Sequence, residues 1–281
     1  MSTEPLKAEL KTLAKHVLST AQLLDPSRLA LPPARPDCGN VGFVAVYRSR
    51  YAQHLFGLLA QLGPRATIRL WCLDEPVVEL KTHTVGTGPG SRFSLLNRLI
   101  ESIPADRRDD GLVVSDDDYV FRVGTLDQLV SAGRGVGLDV WQPAHGRLSH
   151  VSSRFVRRRA GVALRRTTFV EQGPVLVLSA RAQRVLLPLP EDLGMGWGAE
   201  LRWASIVAEH SLQLGILDAL AIQHLPPTGE YDRSAQAAQL RLMLDDAGLP
   251  TFEHLQRELT REGIRRGRRL MRSQPPPTSR P

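Results

Sequence analysis

Three consecutive aspartates, Asp116, Asp117 and Asp118, follow directly on the apolar run Gly111–Ser115 (GLVVS). Adjacent carboxylates repel one another, and burying them unpaired is costly. On extended backbone, residues i and i+2 share a face, so Asp116 and Asp118 can converge while Asp117 points away. Hard oxygen donors of this kind suit Mg²⁺ or Mn²⁺, which keep some water and bind substrate phosphates as well. An ion held there can bridge a diphosphate and neutralise the charge that develops on it as a leaving group. The same residues also suit a plainer arrangement, a solvated turn whose aspartates cap a helix ahead of Thr125.

The elements around the triplet must place it at an edge. Val41–Tyr47 (VGFVAVY) reads as a buried strand, and residues 51–62 read as a helix with Leu55, Leu58, Leu59 and Leu62 inward. Residues 67–73 form a second strand, a glycine-rich turn spans residues 86–90, and a helix runs over 91–103. Gly111–Ser115 is the third strand. Further on, the pattern predicts strands over 138–142 and 169–178, a helix over 179–186, and a helix over 197–209 opened by a glycine turn. Residues 214–222 read as a strand pair or one bent strand, and 234–247 as a final helix. This alternation implies an α/β fold with a mainly parallel sheet and helices on both faces. In such sheets ligands collect at the carboxyl ends of the strands, where the triplet lies. The domain is expected over residues 39–250. Before it, Leu6, Leu10, Leu13, Val17 and Leu24 give a helical stripe, followed by a linker with Pro32, Pro33 and Pro36. Residues 251–281 are expected to form a basic helix and a disordered tail.

The chain has 281 residues, 42% apolar and 23% charged, which excludes wholesale disorder. No apolar run reaches the roughly 20 residues of a membrane span, and the charged N-terminus does not read as a secretory signal. Cys38 and Cys72 are too few for a disulfide framework and are expected to be reduced thiols in the cytoplasm. The net charge of +7 is unevenly spread. Eight Arg against two Glu follow from residue 257 onward, and Arg154, Arg157, Arg158, Arg159, Arg165 and Arg166 form a second block. Arg257, Arg261, Arg265, Arg269 and Arg272 recur at helical spacing, so they would line one helix face. That face suits either plain solvation or peripheral contact with an anionic membrane.

Several segments together carry a resemblance: SDDDYVF, then WQP at Trp141–Pro143, FVEQGPVLVLS at 169–179, LGMGWGAELRWA at 193–204 and LGILDALAIQHLPP at 214–227. Their order and spacing resemble bacterial glycosyltransferases of the GT-A fold, family 2 type, and the resemblance covers residues 41–246. It implies metal-dependent transfer of a sugar from a nucleotide-sugar donor to a hydroxyl of a glycan, lipid-linked or small-molecule acceptor, with inversion. The triplet corresponds to that family's DxD motif. This implies Asp118 as the direct Mn²⁺ or Mg²⁺ ligand, Asp116 at the ribose or a metal-bound water, and Asp117 as a further donor contact.

The resemblance also makes residues 88–97 the donor-binding stretch. A helix N-terminus at Ser91 favours an anion there, with Arg92 and Asn97 as nucleotide contacts. Arg48 is a donor contact, and Asp74 reads the nucleotide base with Glu75 beside it. Glu200 takes the place of the catalytic carboxylate, its pKa open to being raised by desolvation beside an indole. Many relatives have Asp there. Trp197 offers a flat face to an acceptor sugar. His224 is a further metal ligand as neutral imidazole, with Asp218 as its supporting partner. His145 and His150, with Arg154 to Arg159, are candidates for an anionic acceptor group. Each also has a plain structural reading, as a cap, a core hydrogen bond or a solvated loop.

Two other functions stay open at this level. Nucleotidyl transfer would need a glycine-rich, phosphate-clamping loop after the first strand, and Tyr47-Arg48-Ser49-Arg50 has no glycine. A polyanion-binding protein would interleave its Arg residues with stacking aromatics. Aromatics are only 5% of the chain, so nucleic acid is not expected as a partner.

Overall fold

The computed structural model describes residues 38–225 and 233–263. The N-terminal leucine stripe, the proline-rich linker and Arg265, Arg269 and Arg272 lie outside the described residues. In chain order the strands are β1 (Val41–Tyr47), β2 (Thr67–Cys72), β3 (Thr84–Thr87), β4 (Gly111–Ser115), β5 (Tyr119–Val123), β6 (Val140–His145), β7 (Val162–Thr167), β8 (Val175–Leu178), β9 (Leu214–His224) and β10 (Glu258–Gly263). The α-helices are α1 (Ala52–Leu59), α2 (Arg92–Glu101), α3 (Leu126–Gly135), α4 (Ala180–Leu186), α5 (Ala199–Glu209) and α6 (Arg233–Asp246).

The fold is α/β, a ten-stranded sheet flanked by helices, in the order β10-β7-β9-β6-β8-β4-β1-β2-β3 with β5 paired on β9. The β4-β1-β2-β3 half is parallel. In the other half β6 and β9 run parallel, while β8, β7, β5 and β10 pair antiparallel with their neighbours. β1 shows why one apolar run suffices for a central strand. Phe43, Ala45 and Tyr47 join the core on one face with α1 and α3. Val44 and Val46 join the core on the other face with α2, α4 and α5. Alternate side chains of a strand point to opposite faces, so burial on both sides demands apolar residues throughout.

Tertiary pairing corrects two readings from sequence and adds a strand, β7, that the sequence did not announce. Residues 169–174 are loop, and the strand begins only at Val175. β7, with buried Arg165 at its centre, carries no apolar alternation to announce it. The expected C-terminal Arg helix is, at residues 258–263, a strand paired antiparallel with β7. Spacing of charge alone had suggested that helix. With no apolar stripe to pack, nothing selects it over a sheet edge, where Glu258 instead meets Arg159 and Arg261. The sheet therefore takes in residues beyond 250.

β9 is a single strand that pairs β5, β6 and β7, with a register irregularity against β6 between Pro143 and Ala144. Its Asp218 was expected near the metal site. Instead it forms a fully buried ion pair with Arg165, Nε to Oδ2 2.7 Å and Nη2 to Oδ1 3.1 Å. The Arg159 backbone N–H donates to the same carboxylate, and the carbonyls of Phe155 and Arg157 accept from Arg165. A guanidinium so enclosed cannot lose its counter-charge cheaply. Asp218→Ala should therefore cost about 3–5 kcal/mol of stability in urea denaturation, and adding Arg165→Met should restore most of it.

Candidate active site

A cavity of about 800 Å³ opens beyond the carboxyl ends of β1 and β4. Arg48, Arg92, Asp116, Asp117, Asp118, Trp197, Glu200 and His224 all line it. Residues separated by more than 100 positions thus meet in one space.

The chain bends at Asp117 and Asp118 instead of continuing extended, so the three carboxylates diverge to three partners. Asp116 pairs with the Arg92 guanidinium at 2.6 Å. Asp117 does not point away to solvent: it is 6% exposed and accepts from the Arg48 backbone N–H at 2.6 Å. Asp118 Oδ1 lies 3.2 Å from His224 Nε2. That oxygen is buried with no conventional hydrogen-bond donor, and its contact with the imidazole is an ion pair when His224 is protonated. Burial pushes the Asp117 carboxyl up to about 7, with the neighbouring Asp118 and Asp116 charges adding to it. Burial also raises Asp116 despite Arg92. For His224, burial opposes protonation, but the Asp118, Asp116 and Glu171 carboxylates together outweigh it and the pKa rises.

Arg92 ties the triplet to the opposite wall. Its Nη1 donates to Gln172 Oε1 at 2.5 Å, and the Gln172 backbone N–H donates to Glu200 Oε1 at 2.9 Å. Gly194, Gly196 and Gly198 all have positive φ, a region that disfavours side chains. A Cβ on Gly196 would fall 2.5 Å from the Phe93 ring, and one on Gly198 would fall 2.7 Å from Met243 Sδ. These glycines let the turn close tightly and deliver Trp197 and Glu200, in the first turn of α5, to the cavity. Burial holds the Glu200 carboxyl up at about 7, the charge of Glu171 adding to the effect.

Other expected contacts are elsewhere. Asn97 clamps the loop before residue 191, exchanging two 2.9 Å bonds with the Leu189 backbone and donating to Glu191. It faces α2's packing side and does not line the cavity. Asp74 is exposed at the end of β2 and takes bonds from Ser49 and Cys72; it is not on the cavity wall. His145 is not a loop residue: it ends β6, buried against Ser149, and burial pushes its pKa down to about 3. His150 does line the cavity, with its ring 5.6 Å from that of His224. Apart from exposed Arg154, the basic block is bonded within the fold, Arg159 to Glu258 and Arg165 to Asp218 among them. Arg157 binds carbonyls of residues 146, 147 and 149, Arg158 binds the Asp218 carbonyl and Arg166 binds the Val136 carbonyl.

Glu171, Gln172, Phe169, Phe252 and Gln256 also line the cavity and were not singled out from sequence. A strand reading of 169–178 hid the first three; the loop is what turns them inward. Phe252 and Gln256 come from beyond the expected domain end.

A divalent ion can be tested against this donor set. No group of three or more His, Cys, Asp or Glu among the described residues is arranged to hold an ion. Two donors, the unpartnered Asp118 Oδ1 and the adjacent His224 imidazole, do converge. That number fits Mg²⁺ or Mn²⁺ bound chiefly by waters and substrate phosphates.

No protein-family model matches the sequence, and no curated protein matches it. Among solved structures, the crystal structure of GalNAc-T7 with UDP, GalNAc and Mn²⁺ superposes with a TM-score of 0.48 at 11% identity. The superposition covers 73% of this chain and 48% of that one. This chain thus spans about half the length of that structure's chain. A likeness of this size assigns neither an activity nor a residue.

The Glu200 environment has a measurable consequence. A carboxyl with its folded pKa raised from 4.5 to about 7 keeps a proton that the unfolded chain releases. Its contribution is full below pH 4.5 and is lost as pH rises to about 7. Glu200→Gln should remove that loss. Relative to wild type, the variant should gain about 1–3 kcal/mol between pH 5 and pH 8 in urea denaturation.

Proposed function

We propose that this chain is a GT-A type glycosyltransferase that moves a sugar from a nucleotide-diphosphate donor to an acceptor hydroxyl, with inversion at the anomeric carbon. The observation that carries the reading is the meeting, in one cavity, of the Asp118–His224 pair with a half-buried, proton-retaining Glu200, which Gln172 and Arg92 link to the neighbouring Asp116.

In this reading Asp118 and His224 hold the divalent ion, Mn²⁺ or Mg²⁺. When bound, it neutralises charge on the departing diphosphate. Arg92 Nη2, buried without a partner, donates to a phosphate oxygen. Arg48 and Asp117 shape the donor side, and Trp197 offers its ring to the acceptor sugar. The acceptor oxygen forms a bond to the anomeric carbon as the bond to the diphosphate breaks, the electron pair leaving with the diphosphate. Glu200 accepts the acceptor's proton, and a pKa of about 7 suits a base near neutral pH. Orientation of the two substrates and charge stabilisation supply the rest of the rate.

UDP, GDP and dTDP, each with and without Mn²⁺, test this by calorimetric titration. One nucleotide should bind in a metal-dependent way, and Asp118→Asn should weaken it about a hundredfold or more. Absence of nucleotide binding under any metal condition would refute the reading. With the matching sugar donor, kcat should rise with pH through about 7. Glu200→Gln should lower kcat by roughly 10²–10⁴-fold, with the nucleotide Kd unchanged.

A further inference from the structure

Glu171 is held for a purpose that its own neighbours do not use up. Its backbone N–H is pinned by the buried side chain of Gln142 on β6, and its Oε1 accepts from the Ser152 backbone N–H at 3.1 Å. Its Oε2 is buried with no partner, although the residue lines the cavity. A buried acceptor left unmade is costly, and the cost is recovered when a ligand donor reaches it. The next residue, Gln172, donates its N–H to Glu200, so the two carboxylates stand on one short hydrogen-bonded link.

Charge and shape divide the cavity. Its arginines, Arg48 and Arg92, both bond to the aspartate triplet, and Arg92 also spans to Gln172 at the edge of the opposite wall. Glu171 lies within electrostatic reach of Glu200 and of the His224 imidazole, and the cavity lining also includes Glu253, Trp197, Phe169 and Phe252, the two phenylalanine rings packed edge to face at 5.2 Å. Of the Arg block expected to meet an anionic acceptor, Arg157, Arg158, Arg159, Arg165 and Arg166 are bonded within the fold, and exposed Arg154 does not line the cavity. Acids among apolar rings repel an anion and accept hydrogen bonds from hydroxyls or an amine.

We infer that Glu171 is the residue that positions the acceptor, taking a hydrogen bond on Oε2 from a second donor group, and that the acceptor is a polyhydroxy compound without negative charge, neutral or amine-bearing. This rests on the glycosyltransferase reading above. A phosphate- or carboxylate-bearing acceptor would face Glu171, Glu200 and Glu253, while the Arg92 guanidinium that reaches this wall is already engaged by Asp116 and Gln172.

Methyl glucoside, glucosamine and glucose 6-phosphate serve as probes, their binding to the protein saturated with Mn²⁺ and its nucleotide followed by saturation-transfer NMR. Wild type should bind the neutral and amine-bearing sugars and reject the phosphate. Glu171→Gln should weaken glucosamine about ten- to a hundredfold, and Glu171→Asp should weaken it less. The Mn²⁺-dependent nucleotide Kd of both variants should match wild type, which also establishes that they fold. Preference for the phosphate, binding of no probe, or glucosamine binding unchanged in Glu171→Gln would overturn the inference. Nucleotide binding intact alongside any of those results would leave the transferase reading standing. Loss of nucleotide binding in wild type would sink both.

Discussion

Carboxylate repulsion is the constraint around which the site is organised. Asp116, Asp117, Asp118, Glu171 and Glu200 share one cavity, and their partial burial weakens screening by solvent. The Arg92 guanidinium, 7% exposed, meets this by pairing with Asp116 and reaching Gln172. The remaining acids adopt distinct solutions: a backbone N–H for Asp117, an imidazole beside Asp118, and retained protons at Asp117 and Glu200 up to about 7. Different solutions make chemically different groups of like residues. That is how one cavity can hold both a cation-attracting oxygen and a proton acceptor.

The scaffold serves this arrangement from several directions. The parallel strands β1 and β4 deliver Arg48 and the triplet at their carboxyl ends, as parallel sheets do. β9 crosses the sheet between β6 and β7, buries its one acid against Arg165, and only at its far end offers His224 to the cavity. The buried Arg165–Asp218 pair and the cavity are therefore separate uses of charge on one strand. The first fixes β7 against β9, while the second is left incomplete for a ligand.

Glu171 and the C-terminal residues Phe252 and Gln256 show how the cavity acquires its second wall. The loop ahead of β8 turns Phe169 onto Phe252, and β10 continues the sheet past β7. Apolar contact between loop and C-terminal segment encloses space that the sheet alone would leave open. Acids set in such a wall discriminate by charge more strongly than they would in solvent.

The apolar runs of β1 and β4, the helical spacing in α1 and α5, and the glycine turn before Glu200 were legible in the sequence, because burial on both faces, a 3.6-residue stripe and positive φ each leave a local mark. The triplet stood out as unusual residues beside one of those marks, whereas Arg92, Trp197, Glu200 and His224 were singled out through the resemblance carried by the ordered motifs around them; all of these line one cavity. What the sequence could not decide was direction and partnership. Asn97 and Asp74 sit in the expected segments yet turn to a loop and to Ser49, and Asp218 turns to Arg165, since an isolated polar residue takes whichever partner the assembled fold brings within about 3 Å. Charge spacing at 257–261 suggested a helix, and pairing with β7 made it a strand. Glu171 carried no local mark at all. Its role follows from Gln142, Ser152 and Glu200, which only tertiary structure brings together.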